Sequence, residues 1–370
     1  MANKKTVAFL TRHTVTNYGS LLQTYATQKA IEKLGHEAYC INYFRSDEKP
    51  NRLVKTLLQC SPWNNNPIKR LIYMVTQTPV YAFAGKRFEK YRKIVKLSDR
   101  EYNCEQDLID NCPKADVYMT GSDQVWNTIT CDKIDPVFFM SFLKDEQKRV
   151  AYAGSFGSSK VKEEDKELIT SLLKKYSSIS VRENSGVNIV NSLGVDAKQV
   201  LDPTFLLSKN EWEELLPKRE CNEKYVLVYQ LHPNKQFDKY AKDFAKSKGL
   251  KLYRISHCFL HATRSGRFIS CPPIEEFMWY IKNAEYFLTD SFHGTAFSIG
   301  FNTQFVNVLP SKYSERISSI LQLIGYEDRI LQSYDDFDIT DNRIDYSKVN
   351  KIIEAERNKS YEILREMIEE

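Results

Sequence analysis

Strand-like and helical segments alternate along this chain in two successive series, and this alternation limits the possible folds more than any other feature. In the first series, residues 6–11 and 38–43 are short apolar runs, and residues 19–34 between them carry apolar side chains at helical spacing. The second series begins with a run at 225–231 and a helical pattern at 234–248. Strands that alternate with helices predict a parallel sheet covered on both faces. We therefore predict an α/β protein with two Rossmann-like domains whose parallel sheets face a central cleft.

The other segments follow the same rhythm. Further strands are predicted at residues 115–120, 149–153, 178–181, 251–255, 286–289 and 304–309, with an extended segment at 199–207. Further helices are predicted at about 163–175, 184–193, 274–284, 293–301 and 314–323. The predicted N-terminal domain covers residues 1–207 with a basic helical insertion at about 45–100, and the predicted C-terminal domain covers 208–345. Residues 346–370 are predicted to form a final helix that packs back on the first domain.

The composition excludes several classes of protein. A net charge of +5 over 370 residues and 42% hydrophobic residues are typical of a soluble globular protein. The charge is too small to indicate nucleic-acid binding, and no nucleic-acid-binding motif accompanies it. The eight cysteines include no C-x-x-C pair, which favours reduced thiols in a cytoplasmic protein. The short apolar run near the N-terminus predicts neither a signal peptide nor a membrane span.

Positive charge is concentrated in residues 52–96, which contain ten Lys or Arg and a single acidic residue, Glu89. Aromatic side chains lie between these charges. This pattern is typical of a segment that contacts a phosphate-rich partner or an anionic lipid surface. The alternative is that the charges lie on the solvated faces of connecting helices.

Ligands of open parallel sheets bind beyond the carboxyl ends of the strands, so the strand-to-helix turns are the candidate sites. Small residues there let backbone N–H groups approach a bound anion. The candidate turn residues are Asn17, Gly19, Ser20, Gly121, Ser122, Asp123, Trp126, Ser155, Arg182, Asp290, Ser291, His293, Gly294 and Thr295. G-x-G-x-x-G, G-x-x-x-x-G-K-[ST] and G-x-S-x-G are all absent, which argues against dinucleotide, P-loop and serine-hydrolase sites.

Three of these side chains have a titratable or charged group suited to catalysis. His293 lies at the start of a predicted helix, where an imidazole is placed to transfer protons; the alternative is a structural hydrogen bond. Arg182 ends a predicted strand and is suited to bind a phosphate or carboxylate; the alternative is a surface ion pair with Glu183 or Asp202. Asp123 is suited to accept protons from sugar hydroxyls; the alternative is a helix N-cap.

Two further side-chain patterns each have a functional and a structural interpretation. Trp126 offers an aromatic face for stacking on a sugar, with core packing as the alternative. His257 and His261 have a spacing that suits a metal, but no third ligand accompanies them, and no metal site is predicted.

Six motifs together make the chain resemble the polysaccharide pyruvyl transferase family. They are Asn17-Tyr18-Gly19-Ser20, TGSDQVWN at 120–127, YAGSFG at 152–157, SVRENSG at 180–186, VLDPTFLL at 200–207 and TDSFHGTAFSI at 289–299. The resemblance implies a GT-B-like architecture with the acceptor on the N-terminal side and the donor on the C-terminal side. It also implies transfer of a pyruvyl group from phosphoenolpyruvate to a sugar of a surface polysaccharide or its lipid-linked precursor, as a ketal.

The resemblance also assigns roles to residues. His293 matches the functional histidine of the family, and Ser291 stands where several members have arginine. Arg182, Arg254, Arg264 and Arg267 are then the candidates to neutralise the donor. No cofactor is expected, because phosphoenolpyruvate is itself the donor substrate. A lipid-linked acceptor would place the protein at the inner membrane face.

The sequence is also compatible with two other functions. One is a GT-B-type glycosyltransferase that uses a nucleotide sugar. The other is a non-catalytic glycan-assembly protein on the same fold, which is suggested by Ser291 at the position where several family members have arginine.

Overall fold

The computed structural model describes residues 3–45, 48–59, 61–127, 134–310 and 314–370. The chain divides into two compact units: the first comprises residues 1–206 together with 356–370, and the second comprises 207–355. This division lies one residue from the predicted boundary between 207 and 208.

The first unit is built on a seven-stranded parallel sheet with the order β3-β2-β1-β4-β5-β6-β7. Its strands are β1 (Thr6–Leu10), β2 (Glu37–Tyr43), β3 (Leu97–Tyr102), β4 (Val117–Thr120), β5 (Arg149–Gly154), β6 (Ser178–Val181) and β7 (Lys198–Gln199). Its helices are α1 (Tyr18–Lys33), α2 (Pro50–Gln59), α3 (Pro67–Tyr91), α4 (Glu105–Asp110), α5 (Glu163–Leu173) and α6 (Asn184–Ser192). The strand order reverses between β1 and β4, which places the topological switch point there.

The second unit is built on a five-stranded parallel sheet with the order β10-β9-β8-β11-β12. Its strands are β8 (Tyr225–Tyr229), β9 (Lys251–Ser256), β10 (Arg267–Ser270), β11 (Tyr286–Thr289) and β12 (Phe305–Asn307). The helices that begin in the second unit are α7 (Lys209–Glu213), α8 (Lys235–Ser247), α9 (Ile274–Lys282), α10 (Phe292–Phe301), α11 (Glu315–Ile324) and α12 (Tyr346–Glu369). Here the order reverses between β8 and β11.

The central strands are buried along their length because helices cover both faces of each sheet. Every residue of β5 and every residue of β8 is buried. A strand buried on both faces needs a continuous apolar run, and this is the pattern from which the sheets were predicted. The predicted α/β class with two parallel sheets is confirmed, whereas the predicted cleft between the sheets stays a prediction.

Two strands were not predicted, and both are edge strands. Strand β3 has the sequence LSDREY with three exposed residues, and β10 has the sequence RFIS with no buried residue. An edge strand needs no continuous apolar run, so its sequence resembles that of a loop.

The final helix α12 spans almost the whole predicted range of 346–370. Its C-terminal half belongs to the first unit. The Ser360 hydroxyl accepts a hydrogen bond from the Leu201 amide at 3.0 Å, and Lys5 Nζ donates to the Ile368 carbonyl at 2.6 Å. The predicted packing of this helix on the first domain is therefore observed.

Candidate functional site

The predicted site residues fall into two sets, one in each unit, and each set lies at the carboxyl edge of its sheet. In the first unit the turns after β4, β5 and β6 and the start of α1 carry these residues. In the second unit they follow β11 and begin α10.

Arg182 is the centre of a buried polar cluster in the first unit. It follows β6, and its Nη1 atom donates to Asp202 Oδ2 at 2.7 Å and to Ser122 Oγ at 3.3 Å. Its Nη2 atom lies 3.4 Å from Asp123 Oδ1, and its Nε atom lies 3.5 Å from Glu183 Oε2. Only 1% of the side chain is exposed. The structure thus contains ion pairs of Arg182 with Glu183 and Asp202, as the alternative interpretation has it, but these pairs are buried and not on the surface.

The charges around Arg182 determine what it can bind. Burial opposes the charged form, but the carboxylates of Asp202, Asp123 and Glu183 outweigh burial and raise the pKa of Arg182 above its ordinary value. One guanidinium therefore faces three carboxylates. A phosphate or carboxylate at this position would meet that excess negative charge, so the arrangement favours a positioning role for Arg182 over the predicted donor clamp.

Asp123 has its carboxylate fixed from two sides. Its Oδ2 atom accepts a hydrogen bond from Ser20 Oγ at 2.5 Å, and its Oδ1 atom accepts one from the Gln124 amide at 2.8 Å. The backbone of Asp123 has φ = 82°, in the left-handed region that costs free energy for any residue but glycine. Strained residues held by their surroundings are concentrated at functional sites, so this observation supports Asp123 as a site residue.

The start of α1 is capped by its own sequence. Asn17 Oδ1 accepts hydrogen bonds from the Gly19 amide at 2.8 Å and the Ser20 amide at 3.4 Å. These two amides are therefore engaged within the chain. Gly121 lies against β1: a Cβ atom there would be 3.2 Å from Thr11 Cβ and 3.4 Å from the Leu10 carbonyl oxygen. Asn17 and Gly121 thus fix the local backbone of this edge.

Ser155 and Trp126 are both buried below the edge. Ser155 Oγ donates to Glu183 Oε1 at 2.6 Å, which orients one of the carboxylates around Arg182. The Trp126 ring is 2% exposed, stacks on Phe139 with centroids 5.4 Å apart, and donates from Nε1 to the Phe138 carbonyl at 3.3 Å. Core packing therefore replaces the predicted stacking of Trp126 on a sugar, because the ring has no exposed face.

In the second unit, Asp290 connects the ends of the two strands at the switch point. Its Oδ1 atom accepts from the Leu231 amide at 2.7 Å, and its Oδ2 atom accepts from the His232 amide at 2.9 Å. His232 Nδ1 lies 3.0 Å from the same Oδ2 atom. The Asp290 side chain is 3% exposed, whereas 49% of the His232 side chain is exposed. A buried carboxylate thus orients an accessible imidazole, which is an arrangement suited to proton transfer.

The three small residues at the start of α10 have structural partners. Ser291 is the N-cap, and its Oγ atom accepts from the Gly294 amide at 3.2 Å. Thr295 Oγ1 donates to Asn307 Oδ1 at 2.6 Å. A Cβ atom at Gly294 would lie 2.7 Å from Thr289 Oγ1, so only glycine lets the helix start this close to β11.

His293 is the second residue of α10, as its predicted position at a helix start requires. The side chain is 6% exposed, and the Phe292 ring lies edge-on to it with centroids 5.1 Å apart. The Arg316 guanidinium lies 5.4 Å from the centroid of the Phe292 ring. The imidazole is therefore buried near the carboxyl edge, and the aromatic ring beside it also contacts a cation.

A pair of arginines occupies the same edge of the second sheet. Arg254 Nη1 and Arg264 Nη1 donate to Gln230 Oε1 at 3.3 and 3.0 Å, and they lie 3.0 and 3.2 Å from Asp238 Oδ1. The Nε and Nη2 atoms of Arg254 are buried and have no hydrogen-bond partner among the described residues. Two guanidiniums share one carboxylate here, which leaves positive charge for an anion.

The pKa values of two histidines near this pair, His257 and His261, are lowered. His261 Nε2 accepts a hydrogen bond from Arg264 Nη2 at 2.9 Å, and His261 Nδ1 is hydrogen-bonded to Ser256 Oγ at 2.9 Å. Burial, with Arg264, His257 and Arg254 nearby, lowers the pKa of His261 to about 4. Burial also lowers the pKa of His257. No cluster of three His, Cys, Asp or Glu suited to a metal ion occurs among the described residues.

The other two arginine candidates differ from this pair in their surroundings. Arg267 begins β10, at the amino edge of the sheet, and its Nη1 atom donates to the Tyr253 hydroxyl at 3.2 Å. Arg182 faces three carboxylates in the first unit. Arg254 and Arg264 are therefore the arginines best placed to bind an anion at the carboxyl edge.

Several polar residues at the carboxyl edges of the two sheets were not predicted as site residues from the sequence. Arg12 and Glu48 form a buried ion pair, and Thr11 Oγ1 donates to the Ser122 carbonyl at 2.6 Å. His13 is buried, and burial lowers its pKa despite hydrogen bonds to Asn42 and the Thr11 carbonyl. Thr11, Arg12 and His13 come directly after β1, and this position was the sequence feature that could have identified them as site residues. His232 likewise comes directly after the β8 run.

The fold and the site define a two-unit α/β protein of the GT-B type with polar clusters at the carboxyl edges of both sheets. The polysaccharide pyruvyl transferase family model matches residues 17–313, and the chain belongs to this family of transferases. No curated protein sequence matches it.

Solved structures support the same fold. The chain is similar to S. aureus MnaA in complex with UDP, with 11% identity, a TM-score of 0.54, and coverage of 95% of this chain and 91% of that one. It is also similar to a putative UDP-N-acetylglucosamine 2-epimerase from Listeria monocytogenes, with 8% identity, a TM-score of 0.51 and the same coverage of 95% and 91%. At these identities the similarity concerns the fold alone.

Proposed function

We propose that this protein transfers the pyruvyl group of phosphoenolpyruvate to a sugar of a surface polysaccharide or its lipid-linked precursor, forming a ketal and releasing phosphate. Family membership over residues 17–313 carries this proposal. Its support in the structure is an arginine pair and two histidines at the carboxyl edge of the second sheet. The donor carries its own leaving group, phosphate, so the reaction needs no cofactor. We also propose that the protein acts in the cytoplasm.

The reaction needs groups that both give and take protons. A proton adds to the methylene carbon of the donor, the double bond opens to an oxocarbenium-like centre, and one sugar hydroxyl adds there as it loses its proton. The C–O bond to phosphate then breaks, and a second hydroxyl adds as it loses its proton. The two methylene hydrogens of the donor and the two hydroxyl hydrogens of the sugar become the three hydrogens of a methyl group and the one hydrogen of hydrogen phosphate. We assign proton transfer to His293 and to His232, which Asp290 orients at 3.0 Å.

The donor carries a carboxylate and a phosphate, which bind to guanidinium groups. We assign this role to Arg254 and Arg264 in place of the arginine that several family members have at the position of Ser291. The buried Nε and Nη2 atoms of Arg254 supply donors without a partner among the described residues. Asp123 is assigned to the acceptor as a hydrogen-bond acceptor or base, with Arg182 as its positioning residue.

Incubation with labelled phosphoenolpyruvate and a panel of glycosides, with phosphate release as the signal, tests this function. The wild-type protein is expected to release phosphate only with an acceptor that it pyruvylates. His293→Ala is expected to lose this release, and Glu362→Gln, an exposed change on α12, is expected to keep it. Normal release by His293→Ala would remove the histidine from the mechanism, and no release with any acceptor would remove the function.

A nucleotide-sugar glycosyltransferase is the second candidate, because the similar S. aureus structure contains UDP. The two functions differ in the ligand that stabilises the protein. Thermal unfolding with phosphoenolpyruvate, UDP-sugars and GDP-sugars distinguishes them: stabilisation by a nucleotide sugar alone would favour this second function. Stabilisation by phosphoenolpyruvate without turnover would instead indicate a non-catalytic glycan-assembly protein.

A further inference from the structure

Helix α3 exposes a stripe of apolar side chains to solvent. Ile68, Leu71, Ile72 and Val75 have 70%, 65%, 46% and 65% of their surface exposed. Their spacing of three, four and seven residues places them on one face of the helix. Single exposed apolar side chains are common on protein surfaces, but a contiguous group marks an interaction surface.

The exposure is not a consequence of a helix detached from the fold. The second half of α3 is anchored by Val80, Ala84 and Phe88, which are buried. The Phe88 ring packs on Tyr18 of α1 with centroids 5.0 Å apart. The helix is therefore held at its C-terminal half while its first turns present the apolar stripe outward.

Positive charge flanks the stripe. Exposed Lys86 and Lys90 follow the stripe along the same face of the helix, and Arg87 stacks on the partly exposed Phe83 ring with its Cζ atom 4.8 Å from the centroid. Trp63, in the turn before α3, is 43% exposed.

The single acidic residue between positions 52 and 96 is Glu89. The surface therefore combines an apolar face, an aromatic residue at one end and cations at the other. We refer to Trp63, Ile68, Leu71, Ile72, Val75, Phe83, Lys86 and Lys90 as the α3 face.

We propose that the α3 face docks on the surface of a bilayer that contains anionic lipids, with the helix lying in the plane of the interface. An anionic bilayer matches both properties of the face, since acyl chains accept the apolar stripe and headgroups pair with the lysines. A second copy of this chain would cover the apolar stripe but would bring few acidic side chains to the lysines, because Glu89 is the single acidic residue between positions 52 and 96. Among the residues that the structure describes, no helix could span a bilayer.

The α3 face is attached to the candidate site of the first unit. The Tyr91 ring at the end of α3 stacks on Tyr18 with centroids 6.4 Å apart, and Arg92 Nη1 donates to the Thr14 carbonyl at 3.3 Å. Thr14 lies in the turn between β1 and α1, and Tyr18 is the first residue of α1, so both lie at the carboxyl edge of the sheet. Docking would therefore hold this edge near the lipid surface. The docking itself does not depend on the proposed reaction.

Flotation of the full-length protein with vesicles tests the proposal. The vesicles consist of phosphatidylcholine alone or of phosphatidylcholine mixed with phosphatidylglycerol. The wild-type protein is expected to float with the mixed vesicles and to be released as salt is raised. Lys86→Gln with Lys90→Gln is expected to weaken the partition coefficient by about fivefold for each lysine. Leu71→Gln with Val75→Gln is expected to weaken it by at least about tenfold, because the apolar contact is lost without any change in charge.

Two control variants match these changes elsewhere on the surface. Leu168→Gln with Leu323→Gln replaces apolar side chains that are 43% and 37% exposed, and Lys218→Gln with Lys224→Gln removes the same charge from the second unit. Both are expected to bind like the wild type. All substituted side chains are exposed, so urea unfolding is expected to be unchanged for every variant.

Three results would overturn the proposal. The first is absence of flotation with anionic vesicles, and the second is undiminished flotation of the Leu71→Gln, Val75→Gln variant. The third is a dimer in analytical ultracentrifugation that this variant converts to a monomer without any vesicle binding, since the face would then join two copies. Phosphate release with a water-soluble acceptor is measured in parallel, so that loss of docking and loss of the proposed reaction are told apart.

Discussion

The guanidinium of Arg182 and the carboxylate of Asp202 form a fully buried ion pair, with Nη1 2.7 Å from Oδ2 and with 1% and 0% of the two side chains exposed. Asp123 and Glu183 also contribute carboxylates to this arginine. The pair joins the turn after β6 to the segment after β7, and it orients Asp123. Stability and site geometry of the first unit therefore depend on the same cation.

Replacement of Arg182 by Met is expected to destabilise the protein by about 3–5 kcal/mol, because three carboxylates would remain buried without their cation. Urea unfolding measures the change. Arg100→Met is the control: its pair with Asp107 has an arginine that is 51% exposed, and the expected loss is about 1 kcal/mol or less. Equal losses for the two variants would contradict a structural role for the buried pair.

Gly294→Ala is expected to destabilise the second unit by about 1–3 kcal/mol through overpacking. The new Cβ atom would lie 2.7 Å from Thr289 Oγ1, which donates to the Tyr229 carbonyl at 2.7 Å and accepts from the Ser291 amide. Gly300→Ala in the same helix meets no atom within 4 Å, and it is expected to be neutral or stabilising by up to about 1 kcal/mol. Urea unfolding measures the stability of both variants. An unchanged free energy of unfolding for Gly294→Ala would show that β11 and α10 can separate.

His232→Gln is expected to lower kcat for phosphate release by about 10²–10⁴-fold with little change in KM for phosphoenolpyruvate, because the imidazole is assigned to proton transfer. The side chain is 49% exposed, so the fold is expected to persist. Steady-state kinetics with saturating acceptor checks this. A variant with normal kcat would leave Asp290 as a purely structural connection between strands.

His261 reports on the arginine pair. Its pKa of about 4 lies below the ordinary value of 6.5 because of burial and the nearby cations. An anion bound to Arg254 and Arg264 would favour the protonated imidazole, so inorganic phosphate is expected to raise the pKa of His261 in an NMR titration. Arg264→Gln is expected to raise this pKa without phosphate and to weaken the response. An unchanged pKa at saturating phosphate would place the anion elsewhere.

The same residue makes stability depend on pH. A lowered folded-state pKa means that the unfolded chain binds more protons between pH 6.5 and about 4. The contribution of His261 is therefore fully present above pH 6.5 and is lost as the pH falls through about 4. Urea unfolding of wild type and His261→Gln over this range is expected to show a shallower pH dependence for the variant.

The sequence alone determined the two sheets and the positions of the turns. Apolar runs such as that of β8 and helical spacing such as that of α1 are local patterns, and they are sufficient to predict buried parallel strands and the helices between them. The N-caps Asn17 and Ser291 act on amides two or three residues away, so these helix starts are also encoded locally. The six motifs similarly identified the family from short segments.

The tertiary structure decided which of the predicted side chains meet. Arg182 and Asp202 become partners because β6 and β7 are neighbours, and His232 reaches Asp290, 58 residues away, because β8 and β11 pair at the switch point. Trp126 lost its predicted role because Phe139 covers its ring. A sequence specifies local periodicity directly, but burial, charge partners and an outward apolar stripe such as that of α3 arise only when distant segments pack together.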